Sequence, residues 1–363
     1  MIRSQETVVV AMSGGVDSSV AAYLLREAGY RVIGITLKTW TKELCDTTPK
    51  GQTCCSTRDI EDARSVAAHL GIPFYVIEVS EKFQSEVMDY FVRGYSEGLT
   101  PNPCVVCNRQ IKTGILLERA RALGAQWLAT GHYASVEWSA ERGRHLIRQA
   151  MDPNKDQSYV LFQLTQEQLS QMILPLGDKP KGKVRELARE AGLPVAEKPE
   201  SMELCFIPDG DTQKFLKAKS PQSFIAGDIV DRTGRVLGTH QGIGAYTVGQ
   251  RKGLGIAHAT PLYVLGLDKL SNRVIVGEEE ELTTVSCSVE ELHWMGISGL
   301  DAPLEGEVKV RYRSQKLPAR FTPAGSKVHV EFKDPLAGGV SPGQAAVFYD
   351  GDIVLGGGWI SSS

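Results

Sequence analysis

The sequence predicts an α/β parallel sheet with helices on both faces, then a small mainly-β central domain and a C-terminal β-barrel. Three observations predict it. Up to about residue 207, strand-length apolar runs alternate with amphipathic helical stretches, the β-α-β-α order of a parallel sheet. After Cys205 the chain turns to Gly-, Thr- and Val-rich runs around turns such as Asp231-Arg232-Thr233-Gly234. From Leu282 to Trp359 a second series of spaced strands suits a small barrel. The expected domains are 1–207, 208–279 and 280–363.

The elements follow in order. Val8–Ala11 reads as a short buried strand, and Ser18–Ala28 as a helix closed by Gly29. Val32–Leu37 is a strand, Asp59–Leu70 a helix ending at Gly71, and Phe74–Val79 a strand. Glu81–Gly94 and Ile111–Leu123 read as helices, Trp127–Thr130 as a strand, and Lys183–Gly192 as a further helix. Central strands are expected at Ile225–Val230, Arg235–Gly238, Tyr263–Asp268 and Arg273–Gly277. Barrel strands are expected at Val285–Val289, Leu304–Arg311, Ala319–Thr322, Val328–Phe332, Gln344–Tyr349 and Ile353–Trp359. Ligands of parallel sheets sit beyond the strands' carboxyl ends, so the loops from Met12, Lys38 and Gly131 matter most.

A hydrophobic content of 42% is ordinary for a soluble domain, and no apolar run is long enough for a membrane span. The first seven residues carry no signal-peptide hydrophobic region, which argues for the cytosol. A net charge of −3 requires any nucleic-acid partner to meet a local basic face. Seven cysteines, an odd number in a chain of this size, point to catalysis, metal or redox chemistry rather than a disulfide scaffold.

Ser13-Gly14-Gly15-Val16-Asp17-Ser18-Ser19 follows a strand and opens a helix. The glycines allow close backbone approach to an anion, and the helix N-terminus supplies amide donors. Asp17 is expected to cap the helix or help hold magnesium. The Gly-Lys-Ser/Thr ending of a Walker loop is absent. The pattern is that of the PP-loop ATP pyrophosphatases, whose adenine nucleotide alpha hydrolase-like sheet cleaves ATP between the α and β phosphates.

Pro101-Asn102-Pro103-Cys104-Val105-Val106-Cys107-Asn108 reads as a loop before a helix, with Cys107 near a helix N-terminus that favours thiolate. A lone Cys-x-x-Cys suits half a zinc site, a redox pair or part of an iron–sulfur site. Cys205 is a third candidate; Cys287 reads as inert, and Cys45, Cys54 and Cys55 have no partner pattern.

Together the motifs resemble the tRNA-specific 2-thiouridylases along nearly the full length. They are Met12–Ser19, Thr100–Pro103 with Cys107-Asn108, Thr130–Tyr133, Lys155–Tyr159, Leu204–Ile207, Val248–Gly255, Val310–Arg313 and Ser341–Ala345. The resemblance implies adenylation of the uracil O2 of a wobble uridine. It makes Cys205 the persulfide carrier and Cys107 the nucleophile, with a Cys107–Cys205 disulfide as one outcome. Ala11, Met12, Ser13, Gly14, Gly15, Val16, Asp17, Ser18, Leu37 and Gly131 would line the ATP site. Asn102, Pro103, Cys104, His132, Lys155, Asp156, Gln157, Arg311, Tyr312 and Gln344 would meet tRNA. Lys309, Arg313, Lys316 and Arg320 beside Arg311, and Gln250-Arg251-Lys252, would add basic surface. The implied cofactors are ATP and Mg2+, and the implied partners are tRNA and a sulfur-donor protein, a cysteine desulfurase or a sulfur relay protein. Many members have Asp at the position of Cys104. That departure puts the usual base-contacting role of the position in doubt. It also creates a trio, Cys104, Cys107 and Cys205, able in principle to hold a [4Fe–4S] cluster that carries sulfide. Two competing readings stand beside this one. An amidating PP-loop synthetase leaves these cysteines without a role, and a non-catalytic RNA-binding protein leaves the intact phosphate loop without one.

Overall fold

The computed structural model describes residues 6–40, 57–200, 204–207 and 210–362. Cys45, Cys54 and Cys55 lie outside the described residues. The chain divides into two compact units. The first comprises Met1–Val87, Cys104–Gly210 and Asp352–Val354; the second comprises Met88–Pro103, Asp211–Gly351 and Leu355–Ser363.

The first unit is built on a parallel sheet. Its strands are β1 (Thr7–Ala11), β2 (Arg31–Lys38), β3 (Phe74–Glu78), β4 (Trp127–Ala129) and, past a hairpin of β5 (Ala134–Ser139) and β6 (Arg144–Gln149), β7 (Met172–Ile173). The order is β3-β2-β1-β4-β7, with β1 in the middle and Val8 opposite both Val32 and Trp127. Val8, Val9 and Val10 are fully buried, which is why this strand is continuously apolar rather than alternating. On one face, Val8 and Val10 pack with Val20 and Leu25 of α1 (Val16–Glu27) and Val66 and Leu70 of α2 (Thr57–Leu70). Val9, Ile33 and Ile35 face the other way, onto Leu116, Leu117 and Ala120 of α3 (Leu116–Ala122). The first face also receives Val184 and Ala188 of α4 (Lys181–Glu190). Helices thus cover both faces, as the sequence predicts.

The cysteine segment differs from expectation. A helical turn begins at Pro103–Val106 and continues through a π-helical stretch, Cys107–Ile115, into α3. Cys104 and Cys107 therefore lie inside a helix rather than in a loop ahead of one. The π geometry has a local cause. The Thr113 hydroxyl donates to the carbonyls of Asn108 (2.7 Å) and Arg109 (3.1 Å), while Gln168 Nε2 donates to that hydroxyl from outside. The β5–β6 hairpin is an element the sequence analysis does not anticipate.

The second unit holds two β systems. β8 (Gly227–Val230), β9 (Val236–His240), β10 (Tyr263–Asp268) and β11 (Arg273–Gly277) form a sheet in the order β10-β11-β8-β9. Ile229, Val264, Val274 and Val276 fill its core. A helix at Thr212–Lys219, α5, precedes them and was not expected. The barrel strands are β12 (Thr284–Trp294), β13 (Leu304–Lys309), β14 (Leu317–Ala324), β15 (Lys327–Leu336), β16 (Ala345–Asp350) and β17 (Ile353–Ile360). Their order, β12-β15-β14-β13-β16-β17, closes when β12 pairs with β17. Closure leaves no edge strand unpaired. Phe348 stacks on Phe321 at 4.6 Å and on Trp294 at 5.6 Å in the barrel interior. Phe348→Ala should cost about 3–5 kcal/mol of barrel stability, read as an earlier denaturant unfolding transition of the C-terminal strands.

Candidate active site

β1 and β4 are parallel neighbours, so the loops at their carboxyl ends emerge side by side. The first is the phosphate loop, Met12–Val16, leading into α1. Met12 is held to β2 through its N–H on the Ile35 carbonyl and its carbonyl under the Thr36 hydroxyl (2.6 Å). Gly14 adopts φ +72°, and a Cβ there would collide with the Asp59 carbonyl of α2. The second loop is Thr130–Tyr133. A Cβ on Gly131 would stand 2.7 Å from the Ser18 N, so only glycine lets this backbone lie against the first turn of α1. No side chain caps α1 at Gly15. Its first-turn amides are thus not met by a capping side chain, an arrangement chemically suited to an anion such as a phosphate. The serine hydroxyls of the loop are gathered as well, with Ser13 Oγ and Ser18 Oγ 3.2 Å apart and Ser19 donating to the Gly15 carbonyl. Leu37, at the end of β2, is half-buried against the sheet. Just beyond it, Thr39 Oγ1 and Trp40 Nε1 are buried without a hydrogen-bond partner, two groups at the ligand edge able to bond a nucleotide base.

Asp17 does not cap α1. Its Oδ1 accepts from the Tyr133 hydroxyl (2.7 Å) and from Lys181 Nζ (2.6 Å). Burial, and then the charge of Asp17, push the Tyr133 phenol up, so it stays a donor. Lys181 also lies 3.2 Å from Glu200, which Lys155 holds at 2.7 Å. Under the loop, Lys198 donates to the Gly14 carbonyl (3.0 Å) and pairs with Asp59 and Asp62 at 2.5 Å. Lys181, Lys198 and Tyr133 escape the sequence analysis in this role. Lys181 and Lys198 come from chain far removed from the loop and carry no motif of their own.

The three candidate cysteines all belong to the first unit. Cys107 is buried in the π-helical stretch; Asn108 beside it is buried, donating to the Val160 carbonyl at 3.1 Å. Cys205 is half-buried on a turn closed by Ile207 N–H on the Leu204 carbonyl. Phe206 anchors that turn by an edge-on contact with Phe83 at 6.0 Å. The short helix carrying Phe83, Ser80–Phe83, also packs against the Cys107–Ile115 stretch, so both cysteine segments lean on one support. Cys104 keeps an exposed edge, yet the protein gathered around it disfavours charge and pushes its thiol up, with the Lys112 ammonium opposing. Lys112 is a further residue missed from the sequence; five positions after Cys107, it shares the helix. Its charge also reaches His132. Burial first, then Lys112, lowers His132 from 6.5 to about 3, so the ring is neutral, and its Nδ1 lies 2.7 Å from Thr130 Oγ1. Among the described residues, no three His, Cys, Asp or Glu side chains are placed to hold one metal ion.

Several residues expected to meet tRNA have structural duties. Asp156 is buried and accepts from Gln149, from the Ala150 N–H and from both Ser158 donors. Gln157 accepts from the Tyr133 N–H (3.0 Å). Lys155, between them and solvent, pairs with Glu200. In the second unit, Arg311 donates to the carbonyls of Gly338 (2.8 Å) and Gly339 (3.2 Å), beside Tyr312. Gln344 donates to the Thr100 carbonyl (2.9 Å), and Thr100 N–H bonds the Pro342 carbonyl, close to buried Asn102 and Pro103.

Comparison with known proteins decides the family. Residues 6–209 match the tRNA methyl transferase HUP domain, 213–278 the tRNA methyl transferase PRC-barrel domain and 284–360 the aminomethyltransferase beta-barrel domain. The tRNA-specific 2-thiouridylase MnmA of Heliobacterium modesticaldum is 50% identical over 98% of this chain and 92% of its own. That of Geobacter metallireducens is 50% identical over 99% of this chain and 98% of its own, and that of Moorella thermoacetica 47% over 98% and 99%. The chain belongs to the tRNA-specific 2-thiouridylase family. Its phosphate loop, its Thr130–Tyr133 loop and its two cysteine segments are thus parts of a 2-thiouridylase fold. No helix among the described residues is long and apolar enough to cross a membrane.

Two tests follow for this member of the 2-thiouridylase family. Gly131→Ala forces the β4 loop off α1; ATP affinity in equilibrium binding should fall at least about tenfold while the fold, read by circular dichroism, persists. The second concerns acid stability. Unfolded His132 takes a proton near 6.5, whereas the folded protein resists it down to about 3. The unfolded state therefore holds more protons in this window, and His132 makes the protein lose stability as pH falls through it. His132→Gln should flatten that slope in denaturant titrations between pH 7 and 4.

Proposed function

We propose that this 2-thiouridylase activates the O2 of a tRNA wobble uridine with ATP and replaces that oxygen with sulfur. The carrying observation is the seat of Gly131 on the first turn of α1, which joins two sheet-end loops into one polyphosphate cradle. The uracil O2 attacks the α-phosphorus, the bond to the bridging oxygen breaks, and pyrophosphate leaves with the electron pair. Adenylation turns a poor leaving group into AMP. Magnesium would travel with the phosphates, with Asp17 the carboxylate on the loop.

The sulfur step uses Cys205 and Cys107. A Cys205 persulfide attacks C2 with its terminal sulfur and expels AMP. The Cys107 thiolate then attacks Cys205 Sγ; the S–S bond breaks, its electron pair stays with the sulfur on C2, and a Cys107–Cys205 disulfide remains for an external thiol to reduce. The shared support of the two cysteine segments at Phe83 favours this relay. A [4Fe–4S] cluster held by Cys104, Cys107 and Cys205 is the competing carrier, which would supply the same sulfur as bound sulfide. Lys155, His132 and the Arg311-Tyr312 and Gln344 loops would meet tRNA, with Asp156 and Gln157 holding the Lys155 segment in place. A sulfur-donor protein would charge Cys205, in the cytosol.

With ATP, magnesium, a persulfide donor and unmodified tRNA, the protein should form 2-thiouridine. Cys107→Ala and Cys205→Ala should each lower its yield at least about a hundredfold while ATP–pyrophosphate exchange in the presence of tRNA continues. Exchange lost together with thiolation would sink the division of labour. An iron- and sulfide-containing protein whose visible absorption fades in Cys104→Ser would replace the persulfide by a cluster.

A further inference from the structure

The phosphate loop, Ser13–Ser19, contains no lysine. A helix N-terminus offers roughly half a positive charge, well short of a triphosphate's several negative charges. The fold brings two ammonium groups to the loop from elsewhere in the chain. Lys198 is committed beneath it, between Asp59, Asp62 and the Gly14 carbonyl. Two carboxylates already balance that single cation.

Lys181 is placed differently. It starts α4, which packs on the same sheet face as α1. Its side chain is 12% exposed, with Nζ 2.6 Å from Asp17 Oδ1 on the first turn of the phosphate-binding helix. Nζ is also 3.2 Å from Glu200 and 5.7 Å from the centre of the Tyr133 ring. Asp17 has a second donor in Tyr133, and Glu200 a second cation in Lys155. Each carboxylate that Lys181 contacts is therefore still satisfied if the ammonium turns toward another anion.

We propose that Lys181 is a catalytic residue that binds the β and γ phosphates of ATP and neutralises the departing pyrophosphate, supplied in space where a Walker loop carries its lysine in sequence. This rests on the adenylation reading. As the bond between the α-phosphorus and the bridging oxygen breaks, negative charge grows on the pyrophosphate. A cation at the first turn of α1 acts on that charge and not on the AMP side. Asp17 and Glu200 hold Lys181 in readiness, and Glu200 competes with the phosphates for it.

The test uses the full-length protein with Mg2+, titrated calorimetrically with inorganic pyrophosphate and separately with AMP. Lys181→Met should weaken pyrophosphate binding at least about tenfold and leave AMP binding within about twofold; Lys181→Arg should restore most of the loss. Glu200→Gln, on the solvent side of the chain of ion pairs, should instead tighten pyrophosphate binding. Unchanged pyrophosphate affinity in Lys181→Met overturns the proposal. So does a parallel loss of pyrophosphate and AMP, which would make Lys181 a prop of the loop. A wild-type protein that binds neither overturns the adenylation reading itself.

Discussion

The close approach of Gly131 to the Ser18 N is the constraint on which the proposed nucleotide site depends. It exists because β1 and β4 are parallel neighbours, so their carboxyl ends deliver two loops to one place. Parallel pairing in turn demands helices on both faces, and α1, α2 and α4 on one side with α3 on the other meet that demand. The apolar packing that stabilises the sheet therefore also orients α1, and α1 presents its uncapped amides where the second loop arrives. A side chain at position 131 would meet the backbone of Asp17 and Ser18 and force the two loops apart.

Electrostatics makes the second layer. Asp17, Glu200, Asp59 and Asp62 are interleaved with Lys155, Lys181 and Lys198, so each of these carboxylates near the phosphate loop has a lysine partner. Partial burial alone would raise the Glu200 carboxyl; Lys155 and Lys181 outweigh it and hold the group below its ordinary range. Around the thiols the balance is different. Lys112 is the cation whose charge reaches both Cys104 and His132, and the surrounding protein keeps those two groups neutral.

Most of the sheet is legible in the sequence because buried parallel strands and amphipathic helices leave strong apolar patterns. The phosphate loop is legible for another reason: its chemistry is local, with glycines, hydroxyls and helix start in seven consecutive residues. The β5–β6 hairpin is harder to read, because its charged residues, such as Glu137 paired with Arg148 across the ladder, obscure the alternation. The helix at Pro103 is hidden by its two flanking prolines and by the π geometry that Thr113 and Gln168 impose from outside the segment. Lys181 and Lys198 gain their roles from tertiary placement alone. Asp156 and Arg311 show the opposite effect: exposed-looking polar residues in sequence, they hold buried loops together in the fold.

The π-helical stretch sets the register of the cysteine segment. Such a stretch is an α-helix with one residue too many, its surplus accommodated by a widened turn. Deleting a single residue between Cys107 and Ile115 would restore a regular α-helical ladder. It would also rotate everything upstream, Cys107 included, by about 100° relative to α3. The irregularity is a register mark, and the position of Cys107 is counted from it.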